Sequence, residues 1–391
     1  VPIPSPLAPL RSDPNAEFAG IVTRGHRFEA PLDHADPAGP KIEVFAREVR
    51  AVGAEEEDRP WLIFLQGGPG YEAPRPMDTS GWLGRALEQF HVLLPDERGT
   101  GLSTPIQAER VARMGSAIEQ AAYLANFRSD SIVRDLEIMR PHFTGGASWT
   151  SLGQSYGGFC NMRYLSSAPE GLSAVLFTGG IPGLTATAED VYRRTYPICL
   201  GKHDKWFKRY PKDAECLTKL YAQLEEQDIR LTDGDRLTPK RFSMVGLGLG
   251  MGDGFEALHY LLETAAASPD GPADRAFLRA YERAILHDHH PLFTVLHEAC
   301  YTQQAPSNWA AQTVAQNFPG FPEGPGPLRY LNGEMIHPFM FEEIGALRPI
   351  KDAAQLLAAK TNWPRLYDPK ALAQNQVPAA AAVYTDDMYV P

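Results

Sequence analysis

Ser148-Trp149-Thr150-Ser151-Leu152-Gly153-Gln154-Ser155-Tyr156-Gly157-Gly158 is the stretch on which the reading of this chain turns. Ser148 to Gly153 has the make-up of a short strand, and Tyr156 to Ala168 that of a helix. The G-x-S-x-G pattern between them, extended by Gly158, suits a tight strand-to-helix turn. The glycines remove bulk where strand and helix must pass close together. A serine on such a turn stands above the carboxyl edge of a sheet. The helix N-terminus beneath it favours developing negative charge. The pentapeptide alone is a weak signal, because glycine-rich turns are common; the strand-like run before it and the helix-like run after it give it weight. Ser155 is the candidate nucleophile, and a merely structural Ser-Gly turn is the alternative.

Working outward, Trp61 to Leu65 is a short, continuously apolar run that ends at Gln66-Gly67-Gly68-Pro69-Gly70, and His91 to Pro95 is a second, ending at Asp96-Glu97-Arg98-Gly99-Thr100-Gly101. Such runs read as strands buried on both faces. Arg128 to Arg140 has helical spacing, with Ile132, Leu136 and Met139 on one face. Ala174 to Thr178 is a further buried strand. Glu17 to Ala30 and Lys41 to Val49 read as an antiparallel pair joined through Asp33 to Pro40. The alternation of strand and helix predicts an α/β fold with a mostly parallel sheet covered on both faces. From Leu184 to Asp368 buried β runs vanish, and aromatics and charges mix at helical spacing, which predicts an inserted helical cap. Val377 to Tyr384 restores the strand pattern. The expected organisation is a core over 1–183, a cap over 184–368 and the second part of the core over 369–391.

Acyl transfer needs N–H groups aimed at the oxygen that becomes negative. One donor is expected from Tyr156, the residue after the nucleophile, and the other from the glycine-rich loop after Leu65. Gly68 is the preferred donor there, since Pro69 has no N–H; a plain turn is the alternative.

Leu65-Gln66-Gly67-Gly68-Pro69-Gly70, Asp96-Glu97-Arg98-Gly99-Thr100-Gly101-Leu102-Ser103 and Gly153-Gln154-Ser155-Tyr156-Gly157-Gly158 stand in the order and spacing of one family. Through them the chain resembles the prolyl aminopeptidases, or proline iminopeptidases. Asp130-Ser131-Ile132-Val133-Arg134-Asp135 is similar to that family as well. His297-Glu298, Asn332-Gly333-Glu334-Met335-Ile336-His337-Pro338 and Asp386-Asp387-Met388-Tyr389-Val390-Pro391 resemble its larger bacterial members. The resemblance covers nearly the whole chain. It implies an α/β-hydrolase fold with a helical cap, and release of N-terminal proline from small peptides without a metal or cofactor. It puts the triad acid four residues before a proline, which Asp387 satisfies, with Asp386 as a confusable neighbour. It also implies cap glutamates that hold the substrate amine. Glu334 matches best and Glu298 is second, against ordinary surface or salt-bridged carboxylates. A charged amine pairs naturally with carboxylates near the nucleophile. Phe339, Phe341 and Tyr301 are nearby candidates for an apolar proline pocket.

A triad of this fold runs Ser, Asp, His in chain order, yet every histidine here precedes Asp387. Without a general base a serine is a poor nucleophile near neutral pH. The first expectation is a protein that continues past Pro391 with the histidine, a last strand and a closing helix, so that the chain as it stands is inactive. Two alternatives stay open: a cap histidine such as His337 as the base, or a peptide-binding pseudoenzyme. An esterase or amidase of the same fold is a further alternative for the function.

Other signals narrow the field. The 391 residues carry a net charge of −11, which disfavours nucleic acid and anionic membranes as partners. No run is long and apolar enough to span a bilayer, and Val1 to Pro14 lacks the pattern of a signal peptide. Cys160, Cys199, Cys216 and Cys300 have no CxxC spacing and read as buried, reduced thiols, which points to the cytoplasm. His287-Asp288-His289-His290 is too contiguous for one metal ion. Gly246 to Gly252 lacks the strand that a phosphate-binding loop needs and reads as a flexible cap segment. Asp96 and Arg98 read as braces for the loop beneath the site.

Overall fold

The computed structural model describes residues 9–285 and 290–391. Residues 1–8 and 286–289 lie outside the described residues, and with them most of the His-Asp-His-His cluster. Among the described residues nine strands form one sheet. They are β1 (Arg11–Ser12), β2 (Ala16–Phe18), β3 (Ile21–Pro31), β4 (Lys41–Ala51), β5 (Trp61–Leu65), β6 (His91–Asp96), β7 (Trp149–Gln154), β8 (Leu172–Thr178) and β9 (Ala379–Ala382). Their order is β1-β3-β4-β6-β5-β7-β8-β9, with β2 paired to β3. β6, β5, β7, β8 and β9 run parallel, and β3 and β4 form an antiparallel hairpin that joins them through β6. The span Glu17 to Ala30 is two strands rather than one, because Ala19 and Gly20 both take positive φ and turn the chain between them.

Packing on both faces explains why β5 and Val92 to Leu94 of β6 are apolar without a break. Ile63, Leu65 and Leu93 face one layer, where Ile132, Leu136 and Met139 of the helix Ser129–Thr144 pack with Phe159 of the helix Tyr156–Ser167. Leu62, Phe64, Val92 and Leu94 face the other, against Leu83 and Leu87 of the helix Gly81–Leu87. Burying a side chain of this kind contributes roughly 1.5–3 kcal/mol, so both faces of the central strands are strongly specified.

Between β8 and β9 the regular elements of the described chain are helices, with one isolated bridge and irregular connections. Its longest helix, Ala188–Arg209, opens with a capping box in which Thr187 and Asp190 satisfy each other's backbone N–H groups. Tyr192, Tyr196, Cys199 and Trp206 from that helix enter a core shared with Leu217, Leu261 and Phe277. Ile106, Leu124 and Phe127 join it from the segment after β6, which seats the helical region over the sheet's carboxyl edge. No helix among the described residues is long and apolar enough to cross a membrane.

One expectation is corrected. Gly246 to Gly252 is not a loose segment throughout: Met244–Gly250 is a 3₁₀ turn, and Gly246 and Gly250 are in tight contact with other chain segments, whereas Gly248 and Gly252 face open space. A Cβ on Gly246 would stand 2.2 Å from the Asn332 carbonyl oxygen, and one on Gly250 2.3 Å from the ring of Tyr389.

Candidate active site

Ser155 sits between β7 and the helix Tyr156–Ser167 with φ 52° and ψ −118°, a conformation that L-residues rarely adopt. Its N–H donates to the Thr178 carbonyl of β8 (2.9 Å), and its own carbonyl accepts from Gly158 N–H (2.8 Å). Close approach accounts for the surrounding glycines. A Cβ on Gly157 would stand 2.0 Å from the Leu65 carbonyl oxygen, and one on Gly158 2.1 Å from that of Gly180. On Gly180 it would stand 2.0 Å from the Ser155 carbonyl oxygen. The sequence motif thus reads as a three-strand packing constraint, with the turn wedged between the ends of β5 and β8. Gly180 is a member of this arrangement that the motif did not reveal; the only signal was a glycine pair directly after a strand.

The loop after β5 lies alongside the serine. A Cβ built on Gly67 would be 3.1 Å from Ser155 Cβ and 3.7 Å from its Oγ. Gly68 (φ 137°) and Gly70 (φ 93°) both need backbone angles that favour glycine. Gly70 is pressed by Leu292 Cβ and Phe293 N, each 2.7 Å from its Cβ position, so the helix Pro291–Leu296 backs the loop. Tyr156 opens its helix, where a backbone N–H has no intrahelical acceptor. The side chain of Tyr156 is buried.

At the far end of β8, Gly179 (φ 58°) follows Thr178. Asp387 Oδ2 lies 3.4 Å from the Cβ position of Gly179, next in the chain to the glycine that touches Ser155. Asp387 therefore shares the sheet edge with the serine. Its Oδ1 accepts from Tyr389 N–H (2.8 Å) and Val390 N–H (3.0 Å). Asp386 points elsewhere: it is exposed and pairs with Lys202 (3.1 Å) and Lys205. Chain neighbours are thus separated by what they touch, an assignment that needed lysines some 180 positions upstream.

Glu334 is largely buried. Burial pushes its carboxyl up to about 8, and the charge of Asp387 adds to the rise. Burial, followed by the charge of Glu334, raises the phenol of Tyr71 and that of Tyr389 in turn. Tyr301 is raised by burial, then by Cys300 and Glu334. Glu334 and Asp387 are therefore electrostatic neighbours among three tyrosines, one of which follows the glycine-rich loop. Glu298 is also interior, and burial pushes it up to about 7. Its oxygens accept from Ala311 N–H (2.9 Å) and Ala310 N–H (3.2 Å), at the start of the helix Ala310–Ala315. Hydrogen bonds from the side chains of Ser307 and Tyr192 also favour its charged form.

The aromatic candidates divide. Tyr301 packs edge-on against Phe159 of the helix that follows Ser155 (5.6 Å between centroids) and feels Glu334 and Asp387. Phe339 stacks on His337, and Phe341 lies tilted against Trp309, both deep in the helical region. His337 Nε2 contacts Asn332 Oδ1 (3.2 Å), and burial pushes its imidazole down to about 3. Among the described residues no histidine hydrogen-bonds Ser155 Oγ.

Beneath the site, Arg98 is fully buried and donates to both oxygens of Asp135 (2.6 and 2.7 Å) and to the carbonyls of Pro31, Leu32 and Asn126. Asp96 accepts from Arg75 through both oxygens (2.7 Å each) and from the backbone of Ala73 and Leu102. Both are braces, and neither touches Asp387. Glu97, between them, is a feature that sequence reasoning passed over. It is buried beside Cys160, and burial raises its carboxyl well above the ordinary range.

A model of the α/β-hydrolase fold family matches residues 60–275. A proline iminopeptidase of Aeromonas sobria is 44% identical over 372 residues, covering 95% of this chain and 87% of that protein. A proline iminopeptidase of Aspergillus aculeatus is 33% identical over 377 residues, covering 93% and 83%. With the elbow, the glycine-rich loop and the late acid on one sheet edge, the chain belongs to the proline iminopeptidases, prolyl aminopeptidases of the α/β-hydrolase fold.

Proposed function

We propose that this aminopeptidase releases N-terminal proline through an acyl-enzyme on Ser155. In this reading Ser155 Oγ attacks the prolyl carbonyl carbon. The carbonyl oxygen, negative in the tetrahedral intermediate, accepts from the N–H groups of Gly68 and Tyr156. The C–N bond breaks as the leaving amine takes the proton given up by the serine, and water then attacks the ester carbonyl and frees proline. A histidine carries that proton, and Asp387 fixes its tautomer and orientation. The family order places the histidine after Asp387.

The observation that carries the substrate assignment is the Glu334 carboxyl, held inside the protein beside Asp387 and three tyrosines. A buried carboxylate is costly unless a cation meets it. The secondary ammonium of an N-terminal proline supplies one, and Glu298 stands as the second carboxylate. Tyr301 offers a flat apolar wall for the ring. Small peptides are the expected substrates. The four free thiols, three of them buried, support a reducing compartment such as the cytoplasm.

The test compares prolyl and alanyl chromogenic amides with the full-length gene product and its Ser155→Ala variant. The reading expects strong preference for proline and loss of turnover in the variant. Equal cleavage of both amides would return the assignment to a general esterase or amidase, and retained activity in the variant would remove Ser155 as nucleophile.

A further inference from the structure

Two glycines of the helical region have no conformational reason to be glycine. Gly250 and Gly333 both have φ outside the left-handed range, so their backbones would accept alanine. What they provide is space, and the turn that carries Asp387, the acid turn of residues 387–390, enters both gaps. A Cβ on Gly250 would stand 2.3 Å from Tyr389 Cζ and 2.5 Å from its hydroxyl oxygen. A Cβ on Gly333 would stand 2.8 Å from Met335 Sδ, 3.1 Å from Cys199 Sγ and 3.2 Å from Met388 Cε, so Met388 shares that gap with two other sulfur-bearing side chains. The Tyr389 hydroxyl donates to the Leu247 carbonyl (2.6 Å), while its backbone N–H donates to Asp387 Oδ1. Met388 is buried in the core of the helical region. Gly333 directly precedes Glu334.

We infer that Tyr389 and Met388 are positioning residues that lock the carboxylate of Asp387 in register with that of Glu334, across two gaps opened by Gly250 and Gly333. The inference rests on the roles proposed above for Asp387 and Glu334. Tyr389 ties Asp387 to the turn Met244–Gly250, and Met388 ties it to the residue before Glu334. The acid turn thereby links the group that orients the base to the group that holds the amine. The exposed pairing of Asp386 with its lysines contributes little to this lock.

A prolyl substrate is gripped at two points, its amine and its carbonyl, whereas a neutral ester is gripped at one. Loosening the lock therefore penalises the first more than the second. For the full-length enzyme, Tyr389→Phe removes only the hydroxyl bond, and Gly250→Ala presses on the hydroxyl end of the same ring. Each variant is expected to lower kcat/KM for a prolyl chromogenic amide about tenfold, and hydrolysis of p-nitrophenyl acetate by less than about threefold, with Tm within a few degrees of wild type. Equal losses on both substrates, or no loss on either, would overturn the inference. Wild-type enzyme that cuts prolyl and alanyl amides alike would instead sink the parent reading, and this one with it.

Discussion

Gly180 lies so close beneath Ser155 that a side chain there would start 2.0 Å from the serine's carbonyl oxygen. Both partners in this contact are backbone, so neither can swing aside. Gly180→Ala, or Gly158→Ala from the other side of the same contact, should cost about 1–3 kcal/mol of stability. Turnover should fall with it, because the elbow must shift. Denaturant midpoints read beside prolyl-amide hydrolysis check this, and an unchanged midpoint for either variant contradicts it.

The positive φ of Ser155 makes a comparison between two of its variants informative. Alanine inherits the strained backbone and glycine does not. Ser155→Gly is expected to be more stable than Ser155→Ala by about 1 kcal/mol, even though glycine loses more entropy on folding. Calorimetry of the two variants decides it.

Asp387 and Asp386 should part company under the same substitution. Asp387→Asn is expected to lower kcat about 10⁴-fold, as when a triad acid becomes an amide. Asp386→Asn loses only exposed ion pairs, and its stability should change by less than about 1 kcal/mol. Matching losses of turnover in the two variants would move the acid's role off Asp387.

Glu334 should give the enzyme a pH signature. Its carboxyl rises from an ordinary 4.5 to about 8. Between those values the folded protein keeps a proton that the unfolded chain has lost. Stability from this group therefore falls as pH climbs through that window. Glu334→Gln removes the fall, so its Tm advantage over wild type should be larger at pH 8 than at pH 5. Binding of a prolyl ammonium reverses the preference and expels the proton. Calorimetric titration with L-prolinamide at pH 7, in buffers of different ionisation enthalpy, should register proton release in wild type and none in the variant.

Arg98 should matter for folding rather than for chemistry. Burial works against the charge of Asp135, yet the Arg98 guanidinium and His34 hold its carboxyl below the usual range. Arg98→Ala strands that charge and three carbonyls, at about 3–5 kcal/mol. Arg98→Lys should recover only part of it, because an ammonium cannot reproduce the planar fork. Urea unfolding of both variants tests the ranking.

The elbow, the strands around it and the glycine-rich loop beside it were legible because they are local. Gly153, Gly157 and Gly158 announce a tight turn within a few adjacent positions, and the runs at Trp61 and His91 need only period-two packing. The rest was settled by distant segments. Nothing near Asp386 in the sequence says that it pairs with Lys202 and Lys205. Nothing near Glu298 says that it accepts from Ala310 and Ala311. Gly246 to Gly252 suggested looseness because composition reports what a backbone can do, whereas Tyr389 and Asn332 decide what it does.

The interleaving of the acid turn with the helical region also bears on biosynthesis. Ser155 leaves the ribosome 232 residues ahead of Asp387, counted as 387 minus 155, and the intervening helices must assemble before the carboxylate has anywhere to dock. A nascent chain therefore carries Ser155 without Asp387 for much of translation, and on the mechanism proposed above it cannot cleave peptides before this late-made segment has docked.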